Sequence, residues 1–223
     1  MSEYKISASQ AEKIRRVGWV TTTVPEPLDL ECYLVKIATT LGEPKRLRIS
    51  GEIVQKLVPT IASNAHPKSL SARHSLGDFP VHIDTAHWSS PCRYVILGCS
   101  NAGSGERKTK LLDFHSLSIS ESEKNLLYST PFRVVNGRHS FYSNVLSSQR
   151  KFIRYDPGCM VPTCCNGTQV FEIFYEERWS NQIEEIEWQT GTILIIDNWR
   201  MLHGRGSASQ DDGDRLLHRV LIA

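Results

Sequence analysis

Apolar positions fall at helical spacing near the start of the chain and in short extended runs thereafter. The spacing predicts a helix from about Ser9 to Val17. It predicts a second from about Leu28 to Leu41, where Leu30, Leu34, Ile37 and Leu41 share a face and Gly42 precedes Pro44. Residues 1–45 therefore read as a helical flank. From Leu47 onward the runs are short and β-rich: Arg93–Gly98, Lys110–Phe114, Phe132–Val135, Gln169–Tyr175 and Thr192–Asp197. Asn136-Gly137, between PFRVV and RHSFYS, predicts a two-residue hairpin. One later helix is expected near Ser120–Tyr128, where Ser120 and Glu123 form a capping box. Helices and strands do not alternate, so a doubly wound α/β fold is disfavoured and a mainly β sandwich or jelly roll is expected. GCSNAGSG at 98–105 lacks the lysine and following helix of a phosphate loop and reads as a mobile loop.

A length of 223 residues suits one domain, 1–223, large enough for a substantial core. The net charge of +2 is nearly balanced, and the only basic cluster, KRLR at 45–48, reads as a solvated strand or loop. No nucleic-acid partner is expected. Neither a signal-peptide core nor a membrane-length apolar run is present, so a cytoplasmic protein without a membrane partner is expected. The six cysteines lack paired CxxC spacing and read as buried small residues or free thiols. The vicinal Cys164–Cys165 pair could take a soft metal, with nothing else in support. Asn166-Gly167-Thr168 reads as a turn.

The chemistry concentrates in three stretches. In VHIDTAHWSS, residues 81–90, His82 and Asp84 are two apart, so on a strand both project from one face. That is half of a metal site or an ordinary hydrogen-bonded pair. The second stretch, DNWRMLHGR, follows the apolar run Thr192–Asp197 and supplies His203. Two imidazoles and one carboxylate can occupy one face of a metal and leave the other positions open, an arrangement that suits non-haem Fe(II). The third, RLLHR, places Arg215 and Arg219 four apart on one strand face, with Leu216 and His218 on the other. Paired guanidiniums suit a small dianion, because each planar fork can hold a carboxylate by two hydrogen bonds.

In that order, HIDTAHW, DNWRMLHGR and RLLHRV resemble the taurine dioxygenase and clavaminate synthase-like branch of the Fe(II)/2-oxoglutarate-dependent oxygenases, from about Leu41 to the C-terminus. The resemblance implies a double-stranded β-helix (jelly roll) core with flanking N-terminal helices. It implies that His82, Asp84 and His203 hold Fe(II), that Arg215 binds the distal carboxylate of 2-oxoglutarate, and that Arg219 lies near the carboxylate that chelates iron. Thr109 takes about the place of the family's cosubstrate threonine. Arg154 and Asp156, in RYDPGCM, fall where some amino-acid hydroxylases contact substrate, and Trp88 is a candidate pocket wall. The implied reaction consumes 2-oxoglutarate and O2, releases succinate and CO2, and oxidises a small molecule, an amino acid or a natural product derived from one. Asp84 stands where a halogenase would have a small residue, which favours hydroxylation or desaturation. The chain is short for this branch, and Gly204–Asp214 carries no aromatic residue to pack on a substrate.

Blander readings stand beside these. His87, five residues from His82, should face away from the ligand pair on a continuing strand. Arg215 and Arg219 could be strand charges partnering Asp211, Asp212 or Asp214. Trp179, Trp188 and Trp199 read as core or pocket walls, and His74, His115, His139 and His218 as structural or exposed. Two further function classes remain: a cupin-like metal-dependent isomerase or hydrolase that does not use 2-oxoglutarate, and a non-catalytic module that retains the fold. Oligomeric state leaves no mark in the sequence.

Overall fold

A computed structural model describes residues 5–25, 29–65, 70–103, 107–207 and 212–223. Leu28, residues 104–105 of the 98–105 stretch and residues 208–211, Asp211 among them, lie outside this set. The helices are α1 (Ala8–Val17), α2 (Leu30–Leu41), α3 (Leu70–His74), α4 (Glu121–Ser129) and α5 (Asn166–Ile173). The strands up to the middle of the chain are β1 (Trp19–Thr23), β2 (Pro44–Lys45), β3 (Gln55–Leu57), β4 (Phe79–His82), β5 (Tyr94–Asn101), β6 (Thr109–Asp113) and β7 (Phe132–Val134). Those that follow are β8 (Phe141–Ser143), β9 (Met160–Pro162), β10 (Glu184–Ile186), β11 (Thr192–Asp197), β12 (Met201–Arg205) and β13 (Leu216–Ile222).

A major sheet runs β1-β11-β5-β13-β2, with β3 also paired to β13, and a four-stranded minor sheet runs β10-β6-β12-β4. All their pairings are antiparallel. Strands distant in sequence become neighbours across these two sheets, as a double-stranded β-helix requires. A third sheet, β8-β7-β9, stands apart from both.

The side-chain alternation sorts into three apolar cores. Between the two main sheets lie Leu97, Leu111, Ile186, Leu194, Met201, Leu217 and Leu221. The outer face of the major sheet packs Ile193, Ile195, Val220 and Ile222 against Ile14 of α1 and Leu34 and Ile37 of α2. The outer face of the minor sheet, with Leu112 and Leu202, packs on Phe132, Leu127, Val170 and Ile173. On β13, Leu217 and Leu221 thus face the inter-sheet core, while Val220 and Ile222 face the helices. Arg219 shares the inward face of its strand.

Local chemistry explains the helix starts. Ser7 caps α1 with a reciprocal bond to Gln10, and Asp29 caps α2 by accepting from the Cys32 amide at 2.8 Å. Ser120 and Glu123 form the expected capping box at the start of α4. Close packing of α2 on β5 depends on Gly98, where an added Cβ would come within 2.8 Å of Leu34.

Three expectations are corrected. Residues 169–175 form no strand: Asn166–Ile173 is helical, and the would-be turn at Asn166-Gly167 opens that helix. The β-branched and aromatic composition pointed to a strand, but Val170, Ile173 and Phe174 make one helical stripe that the core beneath the minor sheet buries. The hairpin at Asn136-Gly137 is real but wider than two residues. Phe132 pairs with Ser143 and Val134 with Phe141, so the connection spans Val135 to Ser140 through a 3-10 turn. Cys99–Asn101, read only as part of a loop, extend the expected strand that ended at Gly98 and belong to β5. The six cysteines are free thiols, Cys92 and Cys99 buried and Cys164 and Cys165 exposed. Among the described residues, no helix is long and apolar enough to cross a membrane.

Leu34 is fully buried where α2 meets the major sheet. Leu34→Ala should cost about 2–5 kcal/mol, read as a lower urea midpoint at unchanged m-value.

Candidate metal centre

His82 ends β4 and sits directly opposite His203 of β12, their ring centroids 5.0 Å apart. This approach needs a residue without a side chain at position 204. A Cβ there would lie 2.6 Å from the Phe79 carbonyl oxygen, and backbone cannot yield as a side-chain tip can. The register between β4 and β12 shifts just beyond this pair. The His82 Nδ1–H donates to the Pro80 carbonyl at 2.9 Å, which leaves Nε2 with its lone pair for a ligand.

Asp84 follows two residues later, after the Ile83 amide donates to the Tyr155 carbonyl at 2.8 Å. Its backbone is held on both sides by one buried amide. The Asp84 N–H donates to Asn198 Oδ1 at 2.8 Å, and Asn198 Nδ2 donates to the carbonyls of Asp84 at 3.0 Å and Cys92 at 2.7 Å. Thr85 takes a left-handed conformation, φ 57°, that turns the chain away, and its hydroxyl accepts from the Cys92 amide at 2.8 Å. This turn removes His87 and Trp88 from any continuing strand. Asn198 was not singled out in the sequence, although it stands in the DN pair just before β12.

The ligand atoms of His82, Asp84 and His203 all lie within 4.8 Å of one another, and His203 Nε2 is 3.7 Å from Asp84 Oδ2. All three residues are buried. Burial alone would raise the Asp84 carboxyl, but Arg219 and the two imidazoles outweigh it and hold the group well below the ordinary carboxylate range. Burial lowers His82, and the neighbouring His203 lowers it further. An ionised carboxylate and a neutral imidazole are the forms that coordinate a divalent metal.

Arg219 binds both Asp84 oxygens through one nitrogen, at 2.9 and 3.0 Å. The other side of its guanidinium donates to Gln55 Oε1 at 3.1 and 2.7 Å. Gln55, which sequence reading missed, is paired with Arg219 through the β3–β13 register, and its buried Nε2 has no hydrogen-bond partner among the described residues. Arg215 is also buried. It donates to the Arg107 carbonyl at 3.3 Å, while its Nε has no hydrogen-bond partner among the described residues.

Two more cations join Arg215. Arg205 lies opposite Thr109 in the β12–β6 register, and Arg107 precedes Thr109 by two residues. Burial, then Arg215, lowers Arg107 to about 10; burial, then Arg107 and Arg215, lowers Arg205 to about 9. All three remain charged at neutral pH. Burial disfavours the charge on Arg107 and Arg215, and buried Asp212 offsets part of it; a further carboxylate would relieve the desolvation that remains.

The candidates expected to contact substrate separate in the structure. Arg154 is 1 % exposed, and its guanidinium donates to the carbonyls of Ala86, Trp88 and Ser89. It braces the loop after Asp84, in place of the expected substrate contact. Asp156 is near enough to act electrostatically on His82 and His87, and its Oδ1 accepts from the Gly158 amide at 2.6 Å. Trp88 is partly buried against the inter-sheet core, with His87 edge-on to its ring at 6.3 Å.

Asn198→Ala would strand the Asp84 amide and two carbonyls. It should cost about 3 kcal/mol of stability and weaken divalent-metal binding about 10- to 100-fold, read by denaturation and by Co(II) titration.

Residues 168–221 match the family described as Taurine catabolism dioxygenase TauD, TfdA family. No curated protein sequence matches the chain. Among solved structures, asparagine oxygenase in complex with Fe(II), 2S,3S-3-hydroxyasparagine and succinate aligns with a TM-score of 0.77 and 18% identity, covering 96% of this chain and 77% of that one. The non-heme iron oxygenase OrfP in complex with Fe and alpha-ketoglutaric acid aligns with a TM-score of 0.70 and 18% identity, again over 96% and 77%. The DNxRxxH and arginine-pair motifs fall inside the residues that match the TauD, TfdA family, the HxD motif falls outside them, and over nearly the whole chain the fold is that of these solved oxygenases.

Proposed function

We propose that this chain is an Fe(II)- and 2-oxoglutarate-dependent oxygenase that hydroxylates a small molecule, an amino acid or a compound derived from one. The observation that carries the reading is the pairing of a buried His82–Asp84–His203 triangle with a buried cluster of arginines behind it. The donor set fits Fe(II): two imidazoles and one carboxylate, with Nε2 of His82 free to bind. Asparagine oxygenase and OrfP, which share the fold, are each known with iron and with succinate or alpha-ketoglutaric acid, which favours this reading over a metal isomerase or hydrolase working without 2-oxoglutarate.

In this reading His82, Asp84 and His203 hold the iron. Arg215 and the Thr109 hydroxyl receive the distal carboxylate of 2-oxoglutarate, whose other end chelates the metal. Iron with its 2-oxo acid supplies the oxidising chemistry: O2 and 2-oxoglutarate are consumed, succinate and CO2 leave, and one oxygen atom enters the substrate. The chain's own part is position and charge. Arg219 keeps Asp84 ionised and fixed, and Asn198 fixes the backbone behind it. The buried arginines offset the cosubstrate's negative charge, and the inter-sheet core excludes bulk water. Asp156, a carboxylate near His82 and His87, suits a substrate amine or other cationic group. Asparagine oxygenase and OrfP are known in complex with 2S,3S-3-hydroxyasparagine and (3S)-hydroxy-L-Arg, which favours an amino-acid substrate here.

Anaerobic titration tests the assignment. Fe(II) followed by 2-oxoglutarate should produce the weak visible charge-transfer band of an iron-chelated 2-oxo acid. His203→Ala should abolish it, and Arg215→Ala should raise the 2-oxoglutarate concentration needed by about 10- to 100-fold, the loss of charge-assisted hydrogen bonds. Iron binding without a band would overturn the cosubstrate assignment.

A further inference from the structure

Thr109 is buried at the inner end of β6, and its Oγ1 accepts a hydrogen bond from the Trp188 indole N–H at 3.0 Å. The placement follows from strand pairing. Ile186, at the end of β10, lies opposite Thr109, and Trp188 is two residues further along, packed with Ile186 and Leu111 in the inter-sheet core. A threonine hydroxyl has one hydrogen to give and lone pairs to accept with, whereas an indole can only donate. With the indole N–H on its oxygen, Thr109 keeps its own hydrogen available for an acceptor. No bond given by the Thr109 hydroxyl occurs among the described residues, and buried hydroxyls seldom stay unsatisfied. Arg107 lies two residues upstream and its carbonyl receives the buried Arg215, while the guanidiniums of Arg107 and of Arg205, opposite Thr109 in the β12–β6 pairing, donate to backbone carbonyls of Leu76 and Gly206 and of Ser75. The missing acceptor therefore lies beside the backbone that holds Arg215.

We infer that Trp188 is a positioning residue: its indole N–H holds the Thr109 oxygen so that the hydroxyl donates to the distal carboxylate of the 2-oxo acid. The inference rests on the proposed use of 2-oxoglutarate and adds to it a residue that the motifs do not contain. Trp188 touches no reacting atom; it acts through Thr109. Its effect should therefore depend on two things, the presence of a distal carboxylate and the presence of the Thr109 hydroxyl.

The test uses anaerobic Fe(II)-loaded protein and equilibrium binding, read from the charge-transfer band. Two probes are compared: 2-oxoglutarate, and 2-oxobutyrate, which keeps the chelating end but lacks the distal carboxylate. Trp188→Phe keeps an aromatic ring but removes the N–H together with the five-membered ring, and the comparison of the two probes separates the lost hydrogen bond from lost packing. The variant should weaken 2-oxoglutarate binding about three- to tenfold, the range for one hydrogen bond, and leave 2-oxobutyrate unchanged. Thr109→Val should also weaken 2-oxoglutarate selectively, and the double variant should be no weaker than Thr109→Val alone. Equal weakening of both probes in Trp188→Phe, unchanged 2-oxoglutarate binding, or additive losses in the double variant would each overturn the inference while leaving the oxygenase reading intact. Absence of any band in the wild-type protein with either probe would sink the oxygenase reading and the inference together.

Discussion

A carboxylate buried between two imidazoles stays ionised only if a fixed cation accompanies it, and Arg219 is that cation. Removing water from Asp84 favours its neutral form, and the surrounding charges reverse that preference. Much of the architecture can be read as support for this one contact. The β13–β5 pairing places Arg219 in the main sheet, the β3–β13 pairing brings Gln55 to brace it, and Asn198 holds the Asp84 backbone from the opposite side. If any of these failed, the carboxylate would be free to turn away from the imidazoles or take up a proton.

A second constraint is steric. The two ligand histidines come from strands far apart in the chain, and they meet because β12 carries glycine where β4 crosses closest. The HGR triplet thus combines three parts in consecutive residues: a member of the His82–Asp84–His203 triangle, a point of closest backbone approach and a half-buried cation that holds the Ser75 and Gly77 carbonyls. The two sheets hold this arrangement from the inner side, and the cores on their outer faces keep each sheet in place.

The metal triangle was legible in the sequence because its signal is local: two residues apart on one extended segment, then a third in a motif of its own. The terminal strands β11 to β13 were legible for the same reason, as apolar runs with clear ends. Residues 169–175 were not, because Val170, Phe171, Ile173 and Phe174 satisfy a strand composition while their burial follows a helical stripe. Arg154 was misread for a different reason. Position in a motif does not reveal that three carbonyls of the loop after Asp84 claim its guanidinium. Gln55, Asn198 and Arg107 carry no motif that isolates them; their roles arise from pairings across the sheets that only the fold creates.

The division between sheets and loops bears on how such a protein can diverge. The His82–Asp84–His203 triangle is set by strand register, a glycine and one buried amide, all inside the two-sheet body. Asp156 and the loop braced by Arg154 belong to segments that leave and rejoin that body, next to the separate β7–β8–β9 sheet. Substitutions in those segments can reshape the surface beside the triangle without disturbing the register that gathers its three side chains. On the proposed reading, change of substrate would thereby be partly uncoupled from loss of the metal, which would give a lineage built on this body room to explore.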